Sequence, residues 1–139
     1  MAAGDYRMGL NGVFKYGTAG STAATTTTNI STVEIALSAR VAEAVRRNKT
    51  WVAKKPYVLE ATLTFTIWDV VGDAFMAAME TAYTTKSKIA LYPTTEQSGK
   101  GLDGDYYITN FSRSEDNEGF VTYSVEAVPS DEQRDPSWA

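Results

Sequence analysis

The chain has 139 residues, which fits a single domain, and its apolar fraction of 43% and charged fraction of 22% are typical of a folded globular protein. It contains no Cys and no His, so disulfides and thiolate chemistry are excluded and the commonest general base and metal ligand is missing. The net charge of −4 argues against a protein that coats nucleic acid with its whole surface.

The first third of the chain predicts two strands around a polar loop. Residues 9–16 favour a strand interrupted by glycines, and the small, threonine-rich residues 17–29 favour a solvated loop. Apolar and polar side chains then alternate from Ile30 to Ser38, which predicts a strand. The next segment, 39–56, fits either an amphipathic helix or a hairpin that turns at 47–49.

The middle of the chain carries the two clearest patterns. Residues 57–68 alternate over five steps, which predicts a strand with one buried face (Leu59, Ala61, Leu63, Phe65 and Ile67). After a possible cap at Asp69, apolar residues recur at helical spacing and predict one helix with a core-facing stripe (Val71, Ala74, Phe75, Ala78, Met79 and Ala82).

The last third predicts strands at 88–93, 106–113 and 120–128, with a glycine-rich loop at 94–105 and an acidic turn at 115–119. Residues 1–129 are expected to form one domain and residues 130–139 a mobile C-terminal arm. One helix among six or more strands predicts a mainly β fold, an antiparallel sandwich or barrel-like sheet with the helix packed on its flank. Long strands of this kind expose unpaired edges that another chain can complete.

Candidate sites for catalysis, cofactors and metals are weak. The glycine-rich stretch 99–105 matches neither a phosphate-binding loop nor a calcium-binding loop. Asp103 and Asp105 are as well explained by a turn as by an acid–base pair. We therefore expect no enzyme, no cofactor and no metal. The chain also lacks a signal-peptide pattern and an apolar run of about 18 residues, so we expect no membrane partner.

Charge is distributed unevenly along the chain. Six of the 13 basic residues lie within 40–55 (Arg40, Arg46, Arg47, Lys49, Lys54 and Lys55), whereas nine acids and only two bases follow from Asp103 onward. This polarity suits a subunit that docks on copies of itself. A second interpretation is a small monomeric β-barrel that grips nucleic acid through the basic segment 40–55 and Trp51.

Four stretches together resemble the phage major tail tube protein family, whose fold is shared with the type VI secretion tube. They are YRMGLNGVFKYGTAGS at 6–21, Trp51 after the basic turn, TLTFTIWD at 62–69, and DYYITNFSRSEDNEGFVTYSVEAVPS at 105–130. The resemblance covers residues 6–129, and its most specific part is ITNFSRSE followed by the alternating strand.

The resemblance implies a structural subunit that assembles into stacked, hexameric rings around a channel for DNA. The implied partners are further copies of the chain, other tail proteins and DNA that passes without sequence-specific binding, and the implied location is the virion tail, assembled in the host cytoplasm. It also implies that segment 39–56 is a projecting hairpin. Charge then suggests a subunit interface formed by Arg46, Arg47, Lys49 and Trp51 with Glu115, Asp116 and Glu118.

Overall fold

The computed structural model describes residues 12–95, 100–115, 117–130 and 136–139. These residues form eight strands and one helix: β1 (Val13–Thr18), β2 (Thr25–Thr27), β3 (Ile30–Ala44), β4 (Ala53–Trp68), α1 (Ala74–Thr85), β5 (Lys88–Thr94), β6 (Leu102–Ser114), β7 (Thr122–Pro129) and β8 (Ser137–Trp138). The prediction of a mainly β protein with one helix is confirmed.

All strand pairs are antiparallel, and seven strands follow one another across the sheet in the order β2-β1-β5-β6-β7-β4-β3, with β8 beside the start of β6. The sheet curls, because Phe14 of β1 and Phe65 of β4 lie four strands apart in this order yet their ring centroids are 4.9 Å apart. It does not close, since β2 and β3 at its two ends are not paired with each other in the described residues.

Helix α1 covers the concave side of the curled sheet. Phe75 contacts the rings of Phe14 and Phe65, with centroid distances of 5.6 and 6.0 Å, and Met79 is completely buried. The predicted core stripe of α1 is thus correct for Phe75, Met79 and Ala82, which are all buried. These side chains join residues of β1, β4, β5, β6 and β7 in one hydrophobic core.

The start of α1 differs from the prediction. Gly72 has a φ of +78°, a left-handed conformation that suits glycine, and the helix begins only after it. The N-cap is Asp73, whose Oδ1 accepts a hydrogen bond of 3.1 Å from the backbone N–H of Phe75. Val71 therefore precedes the helix and is fully exposed instead of facing the core.

Two segments predicted to be loops contain strands. Thr25–Thr27 pairs with β1 as β2, and residues 102–105 form the start of β6. A Cβ atom at Gly101 would lie 1.4 Å from the carbonyl oxygen of Pro93. Only glycine, which has no Cβ atom, can therefore lie this close to β5 at position 101. The glycines led us to predict a loop, because composition does not show that they allow the backbone to pair closely with a neighbouring strand.

The C-terminal residues are paired with the sheet. Gly101 donates its N–H to the carbonyl oxygen of Ala139 at 2.8 Å, and Ala139 donates back to Gly101 at 3.0 Å. The Tyr92 hydroxyl also donates to the Ala139 carbonyl oxygen, at 3.1 Å. The prediction of a mobile arm did not anticipate this docking of 136–139; residues 131–135 lie outside the described residues.

Candidate self-assembly surface

The hairpin formed by β3 and β4 extends well beyond the core. Its strands pair from Ile30 with Ile67 to Ala44 with Ala53, with two register shifts, one between Ile30 and Thr32 and one between Arg40 and Val41. Every residue from 36 to 60 is exposed, so nothing in the described chain covers the distal half of this hairpin on either face. Segment 39–56 is therefore a projecting hairpin in the structure, and the helical alternative left open by its sequence is not adopted.

One face of the distal hairpin is apolar although it is exposed. Leu59 pairs with Ala39 and stands on the same side of β4 as the buried Leu63 and Phe65, yet it is 85% exposed. Tyr57 and Leu37 continue this uncovered face with exposures of 62% and 58%. The prediction that Leu59 faces the core is wrong, because the core and α1 end before the strand does.

The sheet also has two long free edges in the described residues. The outer edge of β3 has no partner strand along Ile30–Ala44. On β6, residues 104–107 pair with β5 on one side, but 108–114 have only β7, on the other side. These edges bound the four-stranded part of the sheet, β3-β4-β7-β6, and present backbone N–H and C=O groups able to pair with another chain.

The tip of the hairpin, residues 45–52, is basic and partly apolar. Lys49 donates its N–H to the Arg46 carbonyl oxygen at 3.3 Å, and Asn48 takes a left-handed φ of 65° that closes the turn. Trp51 is 86% exposed beside it. The structure thus brings together four of the predicted interface residues, Arg46, Arg47, Lys49 and Trp51.

The other predicted interface residues lie at the opposite end of the subunit. Glu115 and Glu118 occupy the acidic turn, 115–119, which joins β6 to β7 where Thr122 pairs with Trp68, the last residue of β4. Asp116 lies outside the described residues. Since β4 spans Ala53–Trp68, the tip and the acidic turn are about 50 Å apart along it. They cannot meet within one subunit.

Local ion pairs occupy part of the basic segment. Arg40 is salt-bridged to Glu60, and Lys54 lies 3.5 Å from Glu43. At the acidic turn, Arg113 lies 3.8 Å from Glu115, and a hydrogen bond with Tyr123 raises the pKa of Arg113. Two of the six cations of 40–55 thus have an acidic partner within the subunit.

Asp103 and Asp105 act as structural anchors for the loop between β1 and β2. Oδ2 of Asp105, which is fully buried, accepts the N–H of Gly20 at 2.9 Å, and Oδ2 of Asp103 accepts the Thr22 hydroxyl at 3.1 Å. Among the described residues, no cluster of three or more Asp, Glu, His or Cys side chains could hold a metal ion. This part of the chain has no long apolar helix of membrane-spanning type either.

The sequence contained a signal for the uncovered apolar face that alternation alone does not give. The strand predicted at 57–68 is already about twice the usual length, and β4 as formed has 16 residues, so a small core cannot cover all of it. A second feature missed from the sequence is the contact between Trp68 and Phe120, whose ring centroids lie 5.8 Å apart near the acidic turn. Phe120 is 83% exposed. In the sequence it is only the first residue of the strand predicted at 120–128, which does not indicate a contact with Trp68.

The exposed hairpin and the free edges are surfaces on which another chain can pair, and comparison with known proteins identifies the family. The family model described as phage tail tube protein matches residues 9–128. The chain belongs to this family. As a tail tube protein it is a structural component of the virion tail. Comparison with curated protein sequences finds no significant match.

Solved structures similar to this tail tube protein come from tail assemblies. The tail of an empty gene transfer agent particle, computed with C6 symmetry, matches with a TM-score of 0.75 at 13% identity, covering 96% of this chain and 99% of that one. The SPP1 tail tube matches with a TM-score of 0.72 at 18% identity, covering 94% and 79%. The baseplate of the anti-feeding prophage matches with a TM-score of 0.64 at 6% identity, covering 100% and 96%. At these identities the likeness shows the fold.

Proposed function

We propose that this tail tube protein assembles into six-membered rings that stack into a hollow conduit for DNA. The observation that carries the proposal is the projecting hairpin, with Leu37, Tyr57 and Leu59 exposed on a face that continues the core. A solitary subunit leaves this apolar face in contact with water. Contact with neighbouring copies buries it, and each Å² of apolar surface buried stabilises the assembly by roughly 25 cal/mol.

Each ring forms by pairing of the two free edges. The outer edge of β3 in one copy adds to residues 108–114 of β6 in the next, so that the four-stranded parts of successive copies join into one barrel wall. The contact uses different surfaces of the two copies, and such contacts close into a ring when the rotation between copies suits. The C6 symmetry of the similar gene transfer agent tail supports six copies.

The lumen is lined by the face of β3, β4, β7 and β6 that points away from the core. Thr64 of β4 pairs with Glu34 of β3 and with Glu126 of β7, and Glu126 also pairs with Asn110 of β6. Hydroxyl groups dominate the rest of this face (Ser38, Thr62, Thr66, Ser112 and Ser124). Repeated around a ring, glutamates among uncharged hydroxyls repel the phosphate backbone, so DNA can slide without sticking.

Rings stack through opposite ends of the subunit. The basic tip, with Arg46, Arg47 and Lys49, projects from one end, and the acidic turn, with Glu115 and Glu118, lies at the other. Asp116, outside the described residues, adds a charge of the same sign to that turn. Exposed pairs of this kind contribute at most about 1 kcal/mol each, so they set register and encounter rate while edge pairing and apolar burial hold the wall. Other tail proteins meet the free faces of the terminal rings.

Electron microscopy of concentrated protein tests the proposal. We expect sixfold rings and hollow filaments, and their assembly should increase with a crowding agent that favours association. A monodisperse monomer that never assembles and instead binds DNA with strong salt dependence would contradict it and favour the nucleic-acid-binding barrel. The conduit role has its own test: replacing Glu34 and Glu126 with Lys should leave the filaments intact but make them retain DNA.

A further inference from the structure

An exposed aromatic cluster lies at the end of the subunit opposite the hairpin tip. Trp68 and Phe120 pack edge to face, with ring centroids 5.8 Å apart and planes at 89°. Phe120 is 83% exposed, Val71 is fully exposed, and Val70 is 44% exposed. We name these four residues the aromatic end. Single exposed apolar side chains are common on protein surfaces, but a cluster of several large ones usually marks a contact surface.

The backbone beneath the aromatic end is fixed by hydrogen bonds. The N–H of Trp68 donates to the Asn29 carbonyl oxygen at 2.9 Å, and the N–H of Asp69 donates to the Val121 carbonyl oxygen at 3.0 Å. Trp68 also pairs with Thr122 across the β4–β7 ladder. The two aromatic rings are therefore presented by three strand ends tied together, and little conformational freedom is lost when a partner binds.

Charge identifies the partner as the tip of a second copy. Three exposed acids, Asp69, Glu115 and Glu118, belong to the two turns that carry the aromatic end. They outnumber the cation beside them, Arg113, which lies 3.8 Å from Glu115. The tip carries Arg46, Arg47 and Lys49 around its own exposed apolar residues, Trp51 and Val45, which are 86% and 81% exposed. The tip therefore has an apolar centre with a positively charged rim, and the aromatic end has an apolar centre with a net negative rim. Specific interfaces commonly combine surfaces of this kind.

The geometry limits how these two surfaces meet. They lie at the two ends of β4, about 50 Å apart, so one copy cannot join its own ends. A contact between unlike ends of two copies repeats without closing, and it therefore extends an assembly along one direction. This is the direction in which rings stack.

We infer that the aromatic end is the docking site for the tip of a copy in the next ring, with Trp51 and Val45 packed against Phe120 and Val71. This inference rests on the proposed function and adds to it the apolar anchor of the ring-to-ring contact. Aromatic residues at the centre of an interface contribute most of the binding energy, whereas the charged rim mainly guides the encounter. Ring formation through the β3 and β6 edges does not depend on this contact.

Because the chain contains no Cys, introduced cysteines report the contact without background. The double variant Val45→Cys with Val71→Cys should give a ladder of covalent oligomers when assembled filaments are treated with a short bismaleimide. The matched control places Val45→Cys with Thr85→Cys, because Thr85 is exposed at the end of α1 that is farther from Val71. Each single variant provides a further control. We expect the ladder only with the first pair.

A second variant gives an independent result. Phe120→Ser removes a side chain that is 83% exposed in the subunit, so folding should be unaffected. We expect rings to persist while the protein concentration needed for filaments rises at least about tenfold. Filaments of normal length with this variant, or intact filaments without the ladder, would overturn the docking site but not the tube. Failure of the unmodified protein to form rings or filaments would overturn both.

Discussion

The backbone N–H of Gly20 donates a hydrogen bond of 2.9 Å to Oδ2 of Asp105, which joins two residues 85 positions apart. Asp105 is fully buried, and its carboxylate fixes the β1–β2 loop to the start of β6. Asp105→Ala should lower the free energy of unfolding by about 2–3 kcal/mol, since the N–H of Gly20 loses a hydrogen bond to a charged acceptor. Urea unfolding measures the change. Thr22→Val, which removes only the hydroxyl donor to Asp103, should cost about 1 kcal/mol, and equal losses for both variants would refute the anchor role.

The helix cap gives a second prediction with a control inside the same loop. Asp73→Ala should destabilise the protein by about 1 kcal/mol, because the N–H of Phe75 loses its acceptor. Asp69→Ala tests the cap expected from sequence alone and should change the unfolding midpoint little, since its side chain is exposed. The cap assignment is wrong if Asp69→Ala proves the more costly of the two in urea.

Core packing gives the largest expected effect on stability. Phe75→Ala should cost about 3–5 kcal/mol, because its ring packs against Phe14, Tyr16 and Phe65 between α1 and the curled sheet. Val71→Ala, only four residues earlier and fully exposed, should be nearly neutral. Thermal unfolding followed by circular dichroism compares them. A small loss with Phe75→Ala would mean that α1 does not hold the two sides of the sheet together.

Charge reversal tests the stacking of rings. Arg46→Glu, Arg47→Glu and Lys49→Glu together should raise the protein concentration needed for filaments by about tenfold or more at low salt, and the effect should shrink as salt screens the charges. Light scattering follows assembly. Reversal of Glu115 and Glu118 to Lys in the same chain should restore much of it. Unchanged assembly of the triple variant at low salt would remove these charges from the interface.

Hydrogen exchange tests the pairing of edges. In the unassembled subunit, the outward amides of β3 and of residues 108–114 should exchange quickly, because no described strand pairs with them. Assembly should protect them, whereas amides of β4 between Leu63 and Trp68, which are paired on both sides, should be slow throughout. Rings that leave the β3 amides fast would show that the wall forms by another contact.

The sequence predicted those features that depend on residues close together along the chain. Alternation gave β4 and β7, and helical spacing gave the buried positions Phe75, Met79 and Ala82 of α1. The exposure of Leu59 could not follow from alternation, because the pattern reports which face of a strand is apolar and not what covers that face. The burial of Asp105 likewise depends on Gly20, far away in sequence.

The residues of the candidate assembly surface could be named from the sequence, but their arrangement could not. Composition located the basic residues Arg46, Arg47 and Lys49 and the acids Glu115 and Glu118, but only the strand register places them at opposite ends of one subunit. Their role at an interface remains a prediction. The contact between Trp68 and Phe120 was not predicted, because the two residues are far apart in sequence. They become neighbours only because the end of β4 pairs with the start of β7.

The free edge of β3 also leaves the isolated subunit open to pairing with unintended partners. A long unpaired strand beside exposed Leu37 and Leu59 is the kind of template on which fibrillar aggregates nucleate. The register shift between Ile30 and Thr32 places an extra residue, Ser31, in β3 itself and so interrupts the regular spacing of this edge near its start. A bulge in an edge strand is one of the features that limit pairing between identical edges.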